Sequence, residues 1–213
     1  MATRVTIHPE NPQSRLIDMV VEKLQRGGVM LYPTDTVYAI GCDINSKAGQ
    51  TRIRKLRNLP DDKPLTFVAA SISQISDYAK ISDNAYQVIR QLVPGPYTFL
   101  LPATKLVPSL VLNPKRKTTG IRVPDHFLCQ TIIAELGNPV ISMSAKLPGW
   151  EEPSSNDELF DLFDPLVDII IEFDAEYRSP DGDHLSTMID FTGDLPEIIR
   201  EGLGIELASQ VVV

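Results

Sequence analysis

The chain has 213 residues, 43% of them hydrophobic and 23% charged, with a formal net charge of -8, the proportions of a soluble globular protein with room for one core. No apolar run approaches the roughly 18 residues a membrane-spanning helix needs, and Arg4, His8 and Glu10 fall where a signal peptide would be apolar. Cys42 and Cys129 make neither a disulfide framework nor a metal-ligand spacing, so a cytoplasmic location and two buried small hydrophobes are expected.

In chain order, residues 14–26 place Leu16, Ile17, Val20, Val21 and Leu24 at helical spacing, with Gly27-Gly28 as the stop. Val29-Met30-Leu31-Tyr32 reads as a strand ended by Pro33. A helix is expected from about Ala48 to Leu59, then a turn at Pro60-Asp61-Asp62 and a strand over 65–69. Helices near 73–79 and 83–92 follow, the second closed by Pro94-Gly95-Pro96, then strands over 97–101 and 119–123. A helix near 126–136 ends at Gly137, and 140–144 is another strand. Asn156 is the expected N-cap of a helix to Leu162, and strands over 167–173, 187–191 and 198–200 complete the pattern. The alternation is α/β without repeats, and the connections between residues 67 and 101 argue for a mixed rather than an all-parallel sheet.

Charge is divided along the chain. Residues 1–149 hold 18 Lys and Arg against 11 Asp and Glu, a balance of +7, whereas residues 150–213 hold 2 against 17, a balance of -15. An acidic C-terminal part can simply be a solvated surface, while the basic first part suits a concave site for an anion. The cations are concentrated between Arg52 and Lys63, where Arg52, Arg54, Lys55, Arg57 and Lys63 fall within twelve residues.

Several groups at strand ends carry chemistry. Pro33 ends a strand and is followed by Thr34-Asp35-Thr36, two hydroxyls and a carboxylate that serve either a ligand or a local turn. Ile53, Leu56 and Leu59 make an apolar arc with Lys55 and Arg57 near its opposite edges, so both reach one ligand only if the helix ends there. Arg52 and Arg54 are expected in solvent or on a rim, and Lys63 could point either way. Lys115-Arg116-Lys117 reads as an exposed basic loop. Arg122, within Gly120-Ile121-Arg122-Val123-Pro124, has apolar neighbours on both sides and needs an anion or carbonyls for its five donors. Ser142-Met143-Ser144-Ala145-Lys146 brings small hydroxyls and a charge to another strand end, as do Ser186-Thr187 and Arg200. His8, His126 and His184 have no nucleophile motif beside them, and neither Gly-rich nucleotide fingerprint is present.

Taken together, Tyr32-Pro33-Thr34-Asp35-Thr36-Val37-Tyr38, Lys55-Leu56-Arg57, Lys63-Pro64-Leu65, Pro94-Gly95-Pro96-Tyr97-Thr98, Gly120 to Pro124, Ser186-Thr187 with Asp190, and Arg200-Glu201-Gly202 resemble the YrdC-like family of threonylcarbamoyl-AMP synthases. Ile7 to Gln13, Lys115 to Thr118 and Leu147-Pro148-Gly149 look most like its YciO branch. The resemblance implies one domain over 12–204, a twisted mixed β-sheet with flanking helices curved around a basic cavity, and a chain too short for the second C-terminal domain that many family synthases carry.

It also implies an enzyme that combines L-threonine, bicarbonate and ATP into threonylcarbamoyl-adenylate and pyrophosphate for tRNA modification. By this resemblance Thr36 and Ser186 would contact threonine, with Arg122 taking its carboxylate; Lys55, Arg57 and Lys63 would hold the triphosphate and offset the charge developing on pyrophosphate, Lys55 and Arg57 as the catalytic pair; Ser144, Lys146 and Arg200 would bind the adenylate part. No protein metal cage is expected, and Mg²⁺ would accompany ATP mainly through the phosphates. Two residues depart from the family pattern: Lys146 stands where asparagine is usual, and Ala39 where glycine follows the tyrosine. Weaker turnover or a shifted substrate is therefore part of the expectation. The competing expectation is a non-catalytic protein binding nucleotide, double-stranded RNA or tRNA through the same cations. No membrane partner is expected.

Overall fold

A computed structural model describes residues 1–8, 11–60, 63–173, 177–180 and 184–212. The expected turn at Pro60-Asp61-Asp62 and the opening motif at Pro9-Glu10 therefore fall partly outside the described residues. The elements run β1 (Thr3–Thr6), α1 (Ser14–Gln25), β2 (Met30–Tyr32), β3 (Ala39–Asp43), α2 (Lys47–Leu56), β4 (Thr66–Val68), α3 (Ile72–Tyr78), α4 (Asp83–Leu92), β5 (Tyr97–Pro102), β6 (Thr118–Arg122), α5 (Phe127–Leu136), β7 (Val140–Ser144), α6 (Asn156–Phe163), β8 (Ile169–Glu172), β9 (Thr187–Asp190), β10 (Glu197–Arg200) and α7 (Ile205–Val211).

The ten strands among the described residues join one sheet in the order β1-β8-β2-β3-β7-β4-β6-β5-β9-β10. The pairs β1–β8, β2–β8, β4–β6 and β5–β9 are parallel and the other five antiparallel, which is the expected mixed sheet. β1, β3 and α7 have no counterpart in the sequence pattern. β3 is buried at all five positions, so it shows no alternation. β1 buries only Val5 of its four residues.

α1 turns Ile17, Val20, Val21 and Leu24 inward, each burial contributing roughly 1.5–3 kcal/mol. With α5 it packs on one face of the sheet against Val5, Met30, Tyr32, Val68, Val140, Ile169 and Ile171. The opposite face is buried against Ile53 of α2, Ile75 of α3, Val88 and Ile89 of α4, and Phe160 and Phe163 of α6. α1 and α5 cover only part of their face. Side chains alternate along a strand, so Ser142 and Ser144 share that face with Val140, Thr66 with Val68, and Gly120 with Arg122. These positions are the uncovered part, and they form the floor of the cavity described below.

Two local expectations are corrected. α2 ends at Leu56 rather than Leu59, with Arg57 as its C-cap and Asn58 in the left-handed region at φ 47°. The N-cap of α6 is Ser155, whose hydroxyl accepts from the Glu158 N–H at 3.2 Å, and Asn156 is the first helical residue. Among the described residues no helix is long and apolar enough to cross a membrane.

Candidate functional site: a cationic cavity on the open sheet face

A cavity of about 640 Å³ lies over the open half of the sheet. Its floor carries Thr66, Thr98, Gly120, Ser142 and Ser144, and the segment after β2 contributes Thr34 and Thr36. Arg57, Lys63, Arg122, Lys146 and Arg200 also line it, and no described lining residue is acidic. The structure thus gathers Thr36, Arg57, Lys63, Arg122, Ser144, Lys146, Ser186 and Arg200 from distant parts of the chain around one space. Lys55 is exposed on α2 and is not among the lining residues.

Arg122 is 8% exposed and held on three sides. Its guanidinium donates to the Asp35 carboxylate, to Thr36 Oγ1 at 2.8 Å and, through a long contact of 3.5 Å, to the Gly95 carbonyl. Asp35 also accepts from the Asp125 N–H at 3.0 Å. The anion Arg122 requires is therefore supplied by the chain itself, from 87 residues away. Asp35 belongs to the site through that contact, and its position inside Thr34-Asp35-Thr36 was the only sequence signal.

Arg200 is satisfied differently. Its Nε and one terminal nitrogen donate to the Ser186 carbonyl at 3.0 and 2.8 Å, and the same nitrogen donates to Ser186 Oγ at 2.9 Å. Ser186 Oγ lies 2.8 Å from Thr98 Oγ1, a cavity residue that closes the Pro94–Thr98 motif but had no role assigned from the sequence. Burial lowers the Arg200 pKa and the nearby Arg122 charge lowers it further, yet guanidinium remains protonated at neutral pH.

The end of α2 aims Arg57 at the cavity, where it donates to the Lys146 carbonyl and ties the helix end to the end of β7. Arg54 overturns the expectation of a solvent or rim position. It is 7% exposed and donates to the carbonyls of Pro60 at 3.0 Å, Lys63 at 2.8 Å and Leu110 at 2.6 Å. A helical wheel could not show this, because those carbonyls come from loops that fold back over the helix. Arg54 thus fixes the backbone that carries Lys63 into the lining. Arg52 leaves the cavity altogether and pairs with Asp168 and the Leu166 carbonyl.

Lys115, Arg116 and Lys117 are exposed on the turn before β6, outside the lining, with Arg116 3.8 Å from Asp190. Ala39 begins β3 with an ordinary negative φ, so the alanine needs no positive-φ conformation. Cys42 and Cys129 are buried, and burial raises both thiol pKa values, which leaves them inert packing groups.

The chain is similar in sequence and fold to known proteins. The Sua5/YciO/YrdC family model, described as "Telomere recombination", matches residues 22–202. The Escherichia coli protein YciO is 41% identical over 199 residues, covering 93% of this chain and 94% of its own. Its crystal structure superposes with a TM-score of 0.83 at 40% identity, over 96% of this chain and 97% of that one. A Vibrio vulnificus threonylcarbamoyl-AMP synthase is 31% identical over 158 residues, 73% of this chain and 84% of its own. P. abyssi Sua5 complexed with L-threonine gives a TM-score of 0.85 at 27% identity, over all of this chain but 61% of that one.

Proposed function

From the premise that this chain belongs to the Sua5/YciO/YrdC family, we propose that it forms an acyl-adenylate of the threonylcarbamoyl type from ATP, bicarbonate and L-threonine. The threonine amine adds to bicarbonate with loss of water, giving a carbamate. A carbamate oxygen then attacks the α-phosphorus of ATP, the bond from that phosphorus to the β-bridging oxygen breaks, and pyrophosphate leaves. Carbamate and triphosphate are both anions, so the reaction needs cations that place both and offset their repulsion.

The observation that carries this reading is the convergence of Arg57, Lys63, Lys146 and Arg200 on the same cavity as Arg122 and Thr36. Arg122 and Thr36, with Ser186, would bind threonine and its carboxylate. Arg57 and Lys63 would hold the triphosphate, and Ser144, Lys146 and Arg200 the adenylate part. Lys55 is left out of this set because it does not line the cavity. A magnesium ion fits as a passenger of the phosphates, neutralising their oxygens, since the nearby Asp35 carboxylate is already engaged by Arg122 and the Asp125 N–H.

Pyrophosphate release should require ATP, bicarbonate and L-threonine together. A panel of amino acids run in parallel shows whether Lys146 has shifted the substrate, and no pyrophosphate with any of them would overturn the reading. Binding of double-stranded RNA or tRNA without turnover is a second reading, favoured by the exposed Lys115–Lys117 turn outside the cavity. Such binding should weaken steeply with added salt, and no binding at about 50 mM salt would remove it.

A further inference from the structure

We infer that Ser142 is a hydrogen-bond donor to the bound ligand, and that the buried hydroxyl of Tyr32 positions it by acting across Gly41. The identity of the ligand rests on the acyl-adenylate reading; the geometry does not.

Tyr32 lies on β2 and Ser142 on β7, with β3 between them. The Tyr32 ring is fully buried, yet its hydroxyl reaches Ser142 Oγ at 2.6 Å. The crossing passes over Gly41, which pairs with both Met30 and Ser142 in the sheet. A Cβ at Gly41 would come within 2.9 Å of the Tyr32 ring, 2.7 Å of Val140 Cγ1 and 2.8 Å of the Ile141 carbonyl oxygen. A glycine therefore leaves the path open, where any side chain would push the ring aside.

The direction of the hydrogen bond follows from chemistry. A phenol O–H is more acidic than an alkyl hydroxyl, so it is the better donor and the poorer acceptor. Among the described residues the Tyr32 hydroxyl has no other acceptor, and burial holds it in its protonated form. Tyr32 thus donates and Ser142 accepts. The Ser142 proton is then left over, and no described residue accepts it. Ser142 is half-buried and lines the cavity, so that proton is available to a ligand there. Packing alone would be served by phenylalanine at position 32. A buried tyrosine hydroxyl engaged with a cavity serine is explained by the orientation it imposes.

Its place in the sheet says what Ser142 meets. Val68 pairs with both Arg122 and Val140, Thr66 with both Gly120 and Ser142, and Ser144 lies one side-chain step further along β7. Ser142 is thus between the level of Arg122 and the level of Ser144, over a floor left bare by Gly120. With the carboxylate end at Arg122 and the adenylate end at Ser144 and Lys146, the group over Ser142 is the one that joins them. In the proposed reaction this is the carbamate, and a donor to its non-attacking oxygen would orient the other oxygen toward phosphorus.

Pyrophosphate release by the full chain tests this with S142A, Y32F, the double variant and S142T. S142A should lower kcat about 10- to 100-fold and Y32F about 3- to 10-fold, with KM for ATP changed less than about threefold. The double variant should match S142A within about twofold, because Tyr32 acts only through Ser142. S142T, which keeps the hydroxyl, should retain most of the activity. An S142A rate within about twofold of wild type, or a full additional loss in the double variant, would overturn the inference while leaving the acyl-adenylate reading intact. A wild type that releases no pyrophosphate sinks that reading instead. Calorimetric titration with L-threonine then decides: about tenfold weaker binding by S142A, echoed in Y32F, keeps Ser142 as a ligand contact. Unchanged affinity for L-threonine overturns it.

Discussion

Two of the three arginines that line the cavity, Arg122 and Arg200, solve the same problem in opposite ways. Arg122 meets a carboxylate, so the Arg122–Asp35 unit is nearly neutral, fixed in place and almost fully buried. Arg200 meets only the carbonyl and hydroxyl of Ser186, so it is held just as firmly but keeps its whole charge. A neutralised guanidinium offers directional N–H donors with little field, which suits orienting a small carboxylate. An uncompensated one offers field, which suits phosphate. A formal count of cations would not separate them.

Breaking this contrast should show first in stability at the Arg122 end. Asp35→Ala leaves a buried guanidinium without its counter-charge and should cost about 3–5 kcal/mol. At roughly 2–4 °C per kcal/mol for a chain of this size, thermal melting should drop by about 6–20 °C. If the melting point hardly moves, the pair is not the fixed unit described. Arg54→Met comes next, removing three donors from the carbonyls of Pro60, Lys63 and Leu110. A loss of about 2–3 kcal/mol is expected, accompanied by a higher KM for ATP because Lys63 loses its support. Unchanged KM would separate Arg54 from the site.

Arg200→Met should behave in the reverse sense to Asp35→Ala. Its stability cost should stay within about 1 kcal/mol while ATP affinity falls about tenfold, read by calorimetry. A large fall in melting point with unchanged ATP binding would contradict the contrast directly. The smallest effect concerns His126, which caps α5 by accepting from the Cys129 N–H at 3.4 Å through Nδ1. Burial lowers its pKa from 6.5, against opposing pulls from Asp35 and Asp125. The unfolded chain therefore takes up a proton first as pH falls. Stability should be full above about 6.5 and decline below it, by about 1 kcal/mol if the cap is lost. His126→Asn, which caps without titrating, should remove that slope in melts run from pH 7.5 to 5.5.

Much of the fold could be read from the sequence because most elements carry periodic apolar positions bounded by Gly or Pro. β3 escaped since Ala39-Ile40-Gly41-Cys42-Asp43 is buried on both faces and holds a glycine at its centre. That glycine proves to be a gap for the Tyr32 ring rather than a strand breaker. Most of the cavity residues were recognisable because strand ends bear hydroxyls and cations in a familiar order. Their partners were not, since hydrogen bonds such as Arg122 to Asp35 and Arg54 to Leu110 span 87 and 56 residues. Local patterns show which side chains are charged, and only the tertiary arrangement shows which of those charges are already neutralised.

A crystal structure with ATP and L-threonine soaked together tests the two-ended cavity most directly. The threonine carboxylate should lie against Arg122 and Thr36, the triphosphate along Arg57 and Lys63, and the adenylate beside Ser144, Lys146 and Arg200. Phosphates seated on Arg122, or a nucleotide bound outside the cavity, would contradict the account.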